Sequence, residues 1–136
     1  MSYGNATETD INAKIFKNTA LPFDAITDLY LALHTADPGE AGSQTTSEAT
    51  YTSYARVAVE RSATGWTVSG ATVENAALVQ FVTCSGGSNT ITHVSIGTLV
   101  SGAGQILVSG ALSSSLSVST GIQPQFSAGA LVFTLD

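Results

Sequence analysis

The sequence predicts a mainly β fold: an antiparallel sandwich or barrel of jelly-roll type, with about eight or nine short strands and one short N-terminal helix. Three observations predict it. Apolar and polar residues alternate over short runs, most clearly where Leu29, Leu31 and Leu33 interleave with Tyr30, Ala32 and His34. Such runs recur roughly every ten residues, with Gly- and Ser-containing turns between them. One stretch near the N-terminus has helical signals, so strands do not alternate with helices as an α/β fold requires. No motif recurs at a fixed period, which argues against a propeller or solenoid.

The elements follow in order. Residues 7–18 are the helix: Thr7 and Asp10 have capping-box spacing, Lys14 and Lys17 complement the dipole of the last turn, and Ile11, Ile15 and Phe16 make a short apolar stripe. Such a helix is marginal in water unless that stripe docks. Pro22 is expected to end it, and a further helical turn over 24–28 has little support. The run from Leu29 ends at Asp37-Pro38-Gly39, in which Asp bonds the backbone ahead, Pro fixes φ and Gly tolerates positive φ. Residues 39–53 read as a long surface loop. Strands are then expected over 54–60, around Trp66 and Val68, around Ala77, Val79 and Phe81, over 91–96, over 105–112, and around Leu116 and Val118. Ile122 and Phe126 flank Pro124 and suggest an edge strand. The final strand places Leu131, Phe133 and Leu135 on one face. The division expected is an N-terminal helix and docking arm over 1–28 and a β domain over 29–136.

Composition narrows the function. Of 136 residues only 10% are charged, against about 25% in an ordinary soluble domain. Mean hydropathy is +0.26, and Ser and Thr supply most of the polar surface. Ten acids against four bases give a net charge of −6. Lys14, Lys17, Arg56 and Arg61 are too few and too scattered to track a phosphate backbone or hold an anionic membrane, so neither nucleic acid nor membrane is an expected partner. No apolar run approaches a membrane span. Residues 1–5 lack the basic segment and apolar core of a signal peptide, and Cys84 has no partner for an intrachain disulfide; both fit folding in a cytoplasm.

Nothing in the pattern assembles a reaction centre, so no enzyme, metal or cofactor is expected. His34 and His93 lie on expected strands without a Cys/His cluster and read as structural histidines. Cys84 precedes a Gly-Gly turn and reads as an inert thiol. Ser113, Ser114 and Ser115 lack a nucleophile elbow and read as turn and solvent-face residues. Asp24 with Asp28, or Glu60 with Glu74, has no feature beyond charge to suggest glycoside hydrolysis. Asp37 with Glu40 lacks the alternating ligands of a calcium loop. The turn Ser85-Gly86-Gly87-Ser88 lacks the Lys and helix of a phosphate cradle. Tyr51, Tyr54 and Trp66 could stack on a sugar, but aromatic residues on strands serve more often as core or interface anchors.

Four stretches in order resemble a family of small tailed-phage virion proteins: Asp28 to Glu40, Ser53-Tyr54-Ala55-Arg56, Ile91 to Ile96, and Ser127 to Asp136. The resemblance covers residues 28–136 and departs at 43–53, where Gln, Thr and Ser replace the family's glycines. It implies a non-enzymatic β-rich structural part of a virion, with members described as tail-fibre, minor tail or capsid-decoration proteins. It brings no catalytic residues. The expected role is a capsid decoration or cement protein on the head exterior, with a minor tail or tail-fibre protein as the alternative, then a carbohydrate-binding module, then a glycan hydrolase. A single small domain without a coiled-coil shaft, acidic and poor in charge, favours decoration. The expected partners are a major capsid protein or tail component and further copies of the chain, arranged as a trimer about a three-fold or quasi-three-fold axis. Ile11, Ile15, Phe16, Tyr51, Tyr54 and Trp66 are the candidate protein-interface residues.

Overall fold

The strand expected at the centre of the core is present and more deeply buried than its alternation implies. The computed structural model describes residues 1–134 and contains ten strands and one helix. They are β1 (Ser2–Tyr3), α1 (Asn5–Lys17), β2 (Asp28–His34), β3 (Val57–Glu60), β4 (Trp66–Ser69), β5 (Thr72–Asn75), β6 (Val79–Gln80), β7 (Ser88–Gly97), β8 (Ile106–Ser119), β9 (Gln125–Phe126) and β10 (Val132–Thr134). One antiparallel sheet has the order β1-β8-β7-β2-β3; facing it are a three-stranded sheet, β10-β5-β4, and the pair β6-β9. The core lies between, built on Leu31, Leu33, Ile91 and Val94 from the large sheet and Trp66, Phe81 and Phe133 from the opposite side. This is the sandwich-like, mainly β architecture that short alternating runs predict.

Several elements differ from expectation, each for a local reason. The helix begins at Asn5, with Gly4 as N-cap and no side-chain cap. Thr7 is therefore inside the helix; its hydroxyl donates to the Ile106 carbonyl at 3.0 Å instead of capping. Asn18, left-handed at φ 53°, closes the helix before Pro22 is reached. Residues 22–25 form turns, not a second helix. β1 and β5 carry too little periodicity to be seen in the sequence; each exists because a neighbouring strand offers an edge. The segments expected at 105–112 and around Leu116 are one strand, β8. Its register against β7 passes from Ile91↔Leu116 to His93↔Ala111, so Leu112, Ser113, Ser114 and Ser115 stand opposite Thr92 alone. The serine run is thus a wide bulge within a strand. β9 is an edge strand beside Pro124, as expected. Leu131 and Phe133 are buried together; Leu135 lies outside the described residues.

Residues 39–53 are not a free surface loop. The Asp37 side chain accepts from the Gly39 N–H at 2.9 Å, which makes the expected turn. The chain then returns along the edge of β2: Thr35 N–H donates to Ser47 O and Ala49 N–H to Leu33 O, both at 2.8 Å. Gln44, Ala49 and Tyr51 are buried as a result. That return covers the second face of β2, so Ala32 and His34 are as buried as Leu31 and Leu33.

Candidate interaction surface

Two regions of the sandwich contrast in chemistry. The first is a polar clamp. Arg56, at the entry to β3, grips Glu48 through two hydrogen bonds, Nε to Oε1 at 2.7 Å and Nη2 to Oε2 at 2.8 Å. Its remaining donors reach Leu99 O at 2.9 Å and Gly102 O at 2.7 Å. Tyr54 donates to the same Glu48 oxygen at 2.9 Å and accepts from the Leu33 N–H at 3.0 Å. Burial pushes the Tyr54 phenol far above its ordinary range. The Tyr-Ala-Arg stretch therefore ties three chain segments to one carboxylate. Planar, bidentate Arg suits this, because the partly buried Glu48 carboxylate must have its lone pairs satisfied beside a buried guanidinium.

His34 sits next to this clamp and is fully buried. Its Nδ1 donates to Thr46 O at 2.8 Å, which fixes the tautomer, and Nε2 accepts from Ser95 Oγ at 2.7 Å. Burial holds its pKa below the ordinary imidazole value; the Thr46 hydrogen bond and the Glu48 charge oppose that shift. Gln44 completes the region, donating to Tyr30 O at 3.2 Å and accepting from Leu99 N–H at 3.0 Å. Its amide lies where a Cβ on Gly97 or Gly104 would stand, so a side chain at either position would displace Gln44. Every one of these groups has its partners within the chain, and the clamp reads as structural.

The second region is an apolar groove of about 680 Å³ on the core-facing side of the large sheet. Its floor is Leu29, Ile96 and Val108 of the large sheet; its far wall is Val68, Val73 and Phe133 of the three-stranded sheet. Those three share one row, through the pairs Val68↔Val73 and Phe133↔Val73. Val68 is nevertheless 69% exposed, so the inner face of this sheet runs out beyond its cover. On the rim, Arg61 donates to Phe23 O at 2.7 Å, lies over the Phe23 ring and approaches Asp24 at 4.0 Å. Ile11 of α1 lines the groove as well.

The candidate interface residues separate between these environments. Tyr51 and Trp66 are 3% and 8% exposed and belong to the core. Tyr51 and Tyr54 pack edge to face at 5.3 Å between centroids, and Tyr54 stacks on Phe81. Trp66 meets Phe133 in a different cluster. The three rings thus form no common platform, and their own chain uses the area they would give a partner or a sugar. Ile15 and Phe16 are 65% and 81% exposed and project from the C-terminal half of α1. The sequence did not single out the groove wall, because Val68 and Val73 look like ordinary strand residues.

The groups considered for catalysis stay apart. Among the described residues no three His, Cys, Asp or Glu side chains are grouped to hold a metal ion. Cys84 is buried and donates to Gly86 O at 3.1 Å. Glu60 accepts from Thr64 Oγ1 at 2.6 Å, and that hydrogen bond lowers its pKa. Asp24 caps Leu21 N–H at 3.3 Å.

A bulged β sandwich with an open apolar groove, in which Trp66 Nε1 is the one buried side-chain polar atom without a partner among the described residues, defines the architectural class. The family comparison is more specific. Residues 2–134 match the Gp80 family model, described as podophage GP4 fiber I protein gp80, and the chain belongs to that family of phage virion structural proteins. No curated protein matches the chain.

Proposed function

We propose that this protein is a non-enzymatic structural subunit of a phage fibre that acts by adhesion, in repeated copies, to its neighbours in the particle. The match over residues 2–134 to a family described by a fibre protein carries this reading. It favours the tail-fibre alternative over the capsid-decoration role expected from composition. The surface chemistry supports adhesion: two large apolar side chains stand exposed on α1, and an apolar groove continues the core to the outside. Each contact can be modest, because repetition along an assembly multiplies it.

Immunogold labelling of intact particles, with copy number from quantitative mass spectrometry, tests this. Label confined to fibres, with a small copy number, is the expected result. Label over the whole head shell, with hundreds of copies, would return the decoration role and overturn the fibre reading.

A further inference from the structure

We propose that the N-terminal arm, residues 1–11, exchanges between copies: when copies are lined up, the arm of one takes the seat on the β8 edge of the next that a lone chain fills with its own arm. This rests on the reading of the protein as a repeated structural subunit, and deepens it by naming the contact.

The seat is defined by the closed chain. Ser2 pairs with Ser109 and Tyr3 with Val108, so β1 is the outer strand of the large sheet. Gly4 N–H donates to Leu107 O at 3.1 Å and Asn5 N–H to Glu40 O at 2.9 Å. Thr7, 2% exposed, donates to Ile106 O, and Gln105 Nε2 donates to Thr7 Oγ1 and Asp10 Oδ2, each at 3.0 Å. A Cβ on Gly4 would strike the Ile106 carbonyl, so the seat selects for this arm rather than for any extended peptide. These ties fall on Glu40 and residues 105–109, and neither ion pair among the described residues includes an arm residue. None of them requires arm and body to share one chain. An identical arm from a neighbour makes the same bonds, which is the condition for exchange of an element between copies.

The connector allows it. Residues 14–20 are all exposed, and the chain is buried again only at Phe23. Beyond Asp10 the helix makes no hydrogen bond to the β domain among the described residues; Thr19 N–H returns to Ala13 O. Redirecting the arm therefore costs this stretch almost no contact, and Asn18, left-handed at φ 53°, already breaks the helix within it. Exchange also accounts for Ile15 and Phe16, 65% and 81% exposed, because the connector then crosses between two bodies instead of standing in water. A lone chain keeps its own arm, which it holds at an effective concentration of about 1 mM. Exchange follows when neighbours are presented at a comparable concentration, as in an assembly. Each copy gives one arm and receives one, so every seat stays filled.

Cross-linking at the Ser2–Ser109 register tests this. Tagged Ser2→Cys protein is mixed with untagged Ser109→Cys protein at about 1 mM, where neighbours match the arm's own effective concentration, and mildly oxidised. Buried Cys84 is left in place. A disulfide-linked mixed pair is expected in about 10-fold excess over that formed with Ser117→Cys, an exposed position of the same strand outside the seat, and it should fade on dilution. The double variant Ser2→Cys/Ser109→Cys, oxidised at dilution, should link within one chain. If the double variant closes while the mixed pair does not exceed the Ser117→Cys product, exchange is overturned. If the double variant does not close either, the seat itself is overturned. The fibre reading survives both results and fails only on particle labelling.

Discussion

The clamp around Glu48 and the groove beside α1 both lie against the large sheet, on different faces of it, and they leave their surfaces in opposite states. At the clamp, a returning loop brings a carboxylate, a phenol and a guanidinium together, and every polar group finds a partner within the chain. At the groove, α1 and the linker after it cover only part of the surface, and the row Val68–Val73–Phe133 is left partly open. Closing a surface with buried charge needs full satisfaction, since one missing partner leaves a desolvated ion. Leaving a surface apolar costs the monomer little and gives it an area to share. The comparison predicts that substitutions at the first site damage the fold, and that substitutions at the second damage assembly.

The largest effect is expected at the clamp itself. Arg56→Ala strands Glu48 and should cost about 3–5 kcal/mol in chemical denaturation. Arg56→Lys should recover part of that, because it restores the charge without the two-pronged geometry. A cost below about 1 kcal/mol would mean that water replaces the guanidinium, and that the clamp is less closed than its burial shows. Gln44→Ala should come next, at about 1–3 kcal/mol, since it orphans the Tyr30 carbonyl and the Leu99 N–H in one step.

His34 sharpens the comparison through pH. Its folded pKa is depressed, so between that value and the ordinary imidazole value the unfolded chain binds the extra proton. Stability is therefore fully present above about pH 6.5 and falls as pH drops through and below it, by at most about 1.4 kcal/mol per pH unit for one proton. Denaturation midpoints between pH 7.5 and pH 5 should show this loss, and His34→Asn should flatten it. An unchanged slope would assign the effect to other groups. The smallest effect belongs to the arm: measured at dilution, Phe16→Ser should shift monomer stability by no more than about 0.5 kcal/mol, although it removes a large apolar side chain. The contrast with Leu31→Ala, at about 2–5 kcal/mol, separates a residue that serves the core from one that serves a partner.

Much of the sandwich was legible in the residues. The β2 run, the Asp37-Pro38-Gly39 turn and the edge strand beside Pro124 follow from side-chain period and turn chemistry, which act over a few residues. The helix was placed to within two residues at its start, but its capping was not, because Thr7 spends its hydroxyl on Ile106, ninety-nine residues away. The serine run looked like a break between strands; it is a bulge that β7 holds in place. Of the candidate interface residues, Ile15 and Phe16 were visible as an apolar stripe, whereas the burial of Tyr51 and Trp66 depended on which layers close over them.

By itself the sequence determined the class of fold, the scarcity of charge and the apolar tip of the helix, since composition and short-range period are properties of the chain before it folds. Tertiary structure alone decided which face of the large sheet would be sealed by polar pairing and where an apolar groove would stay open. That choice depends on where residues 39–53 return and on how far β4, β5 and β10 extend past the sheet they face. Both are set by contacts between segments far apart in the chain, which no local pattern encodes.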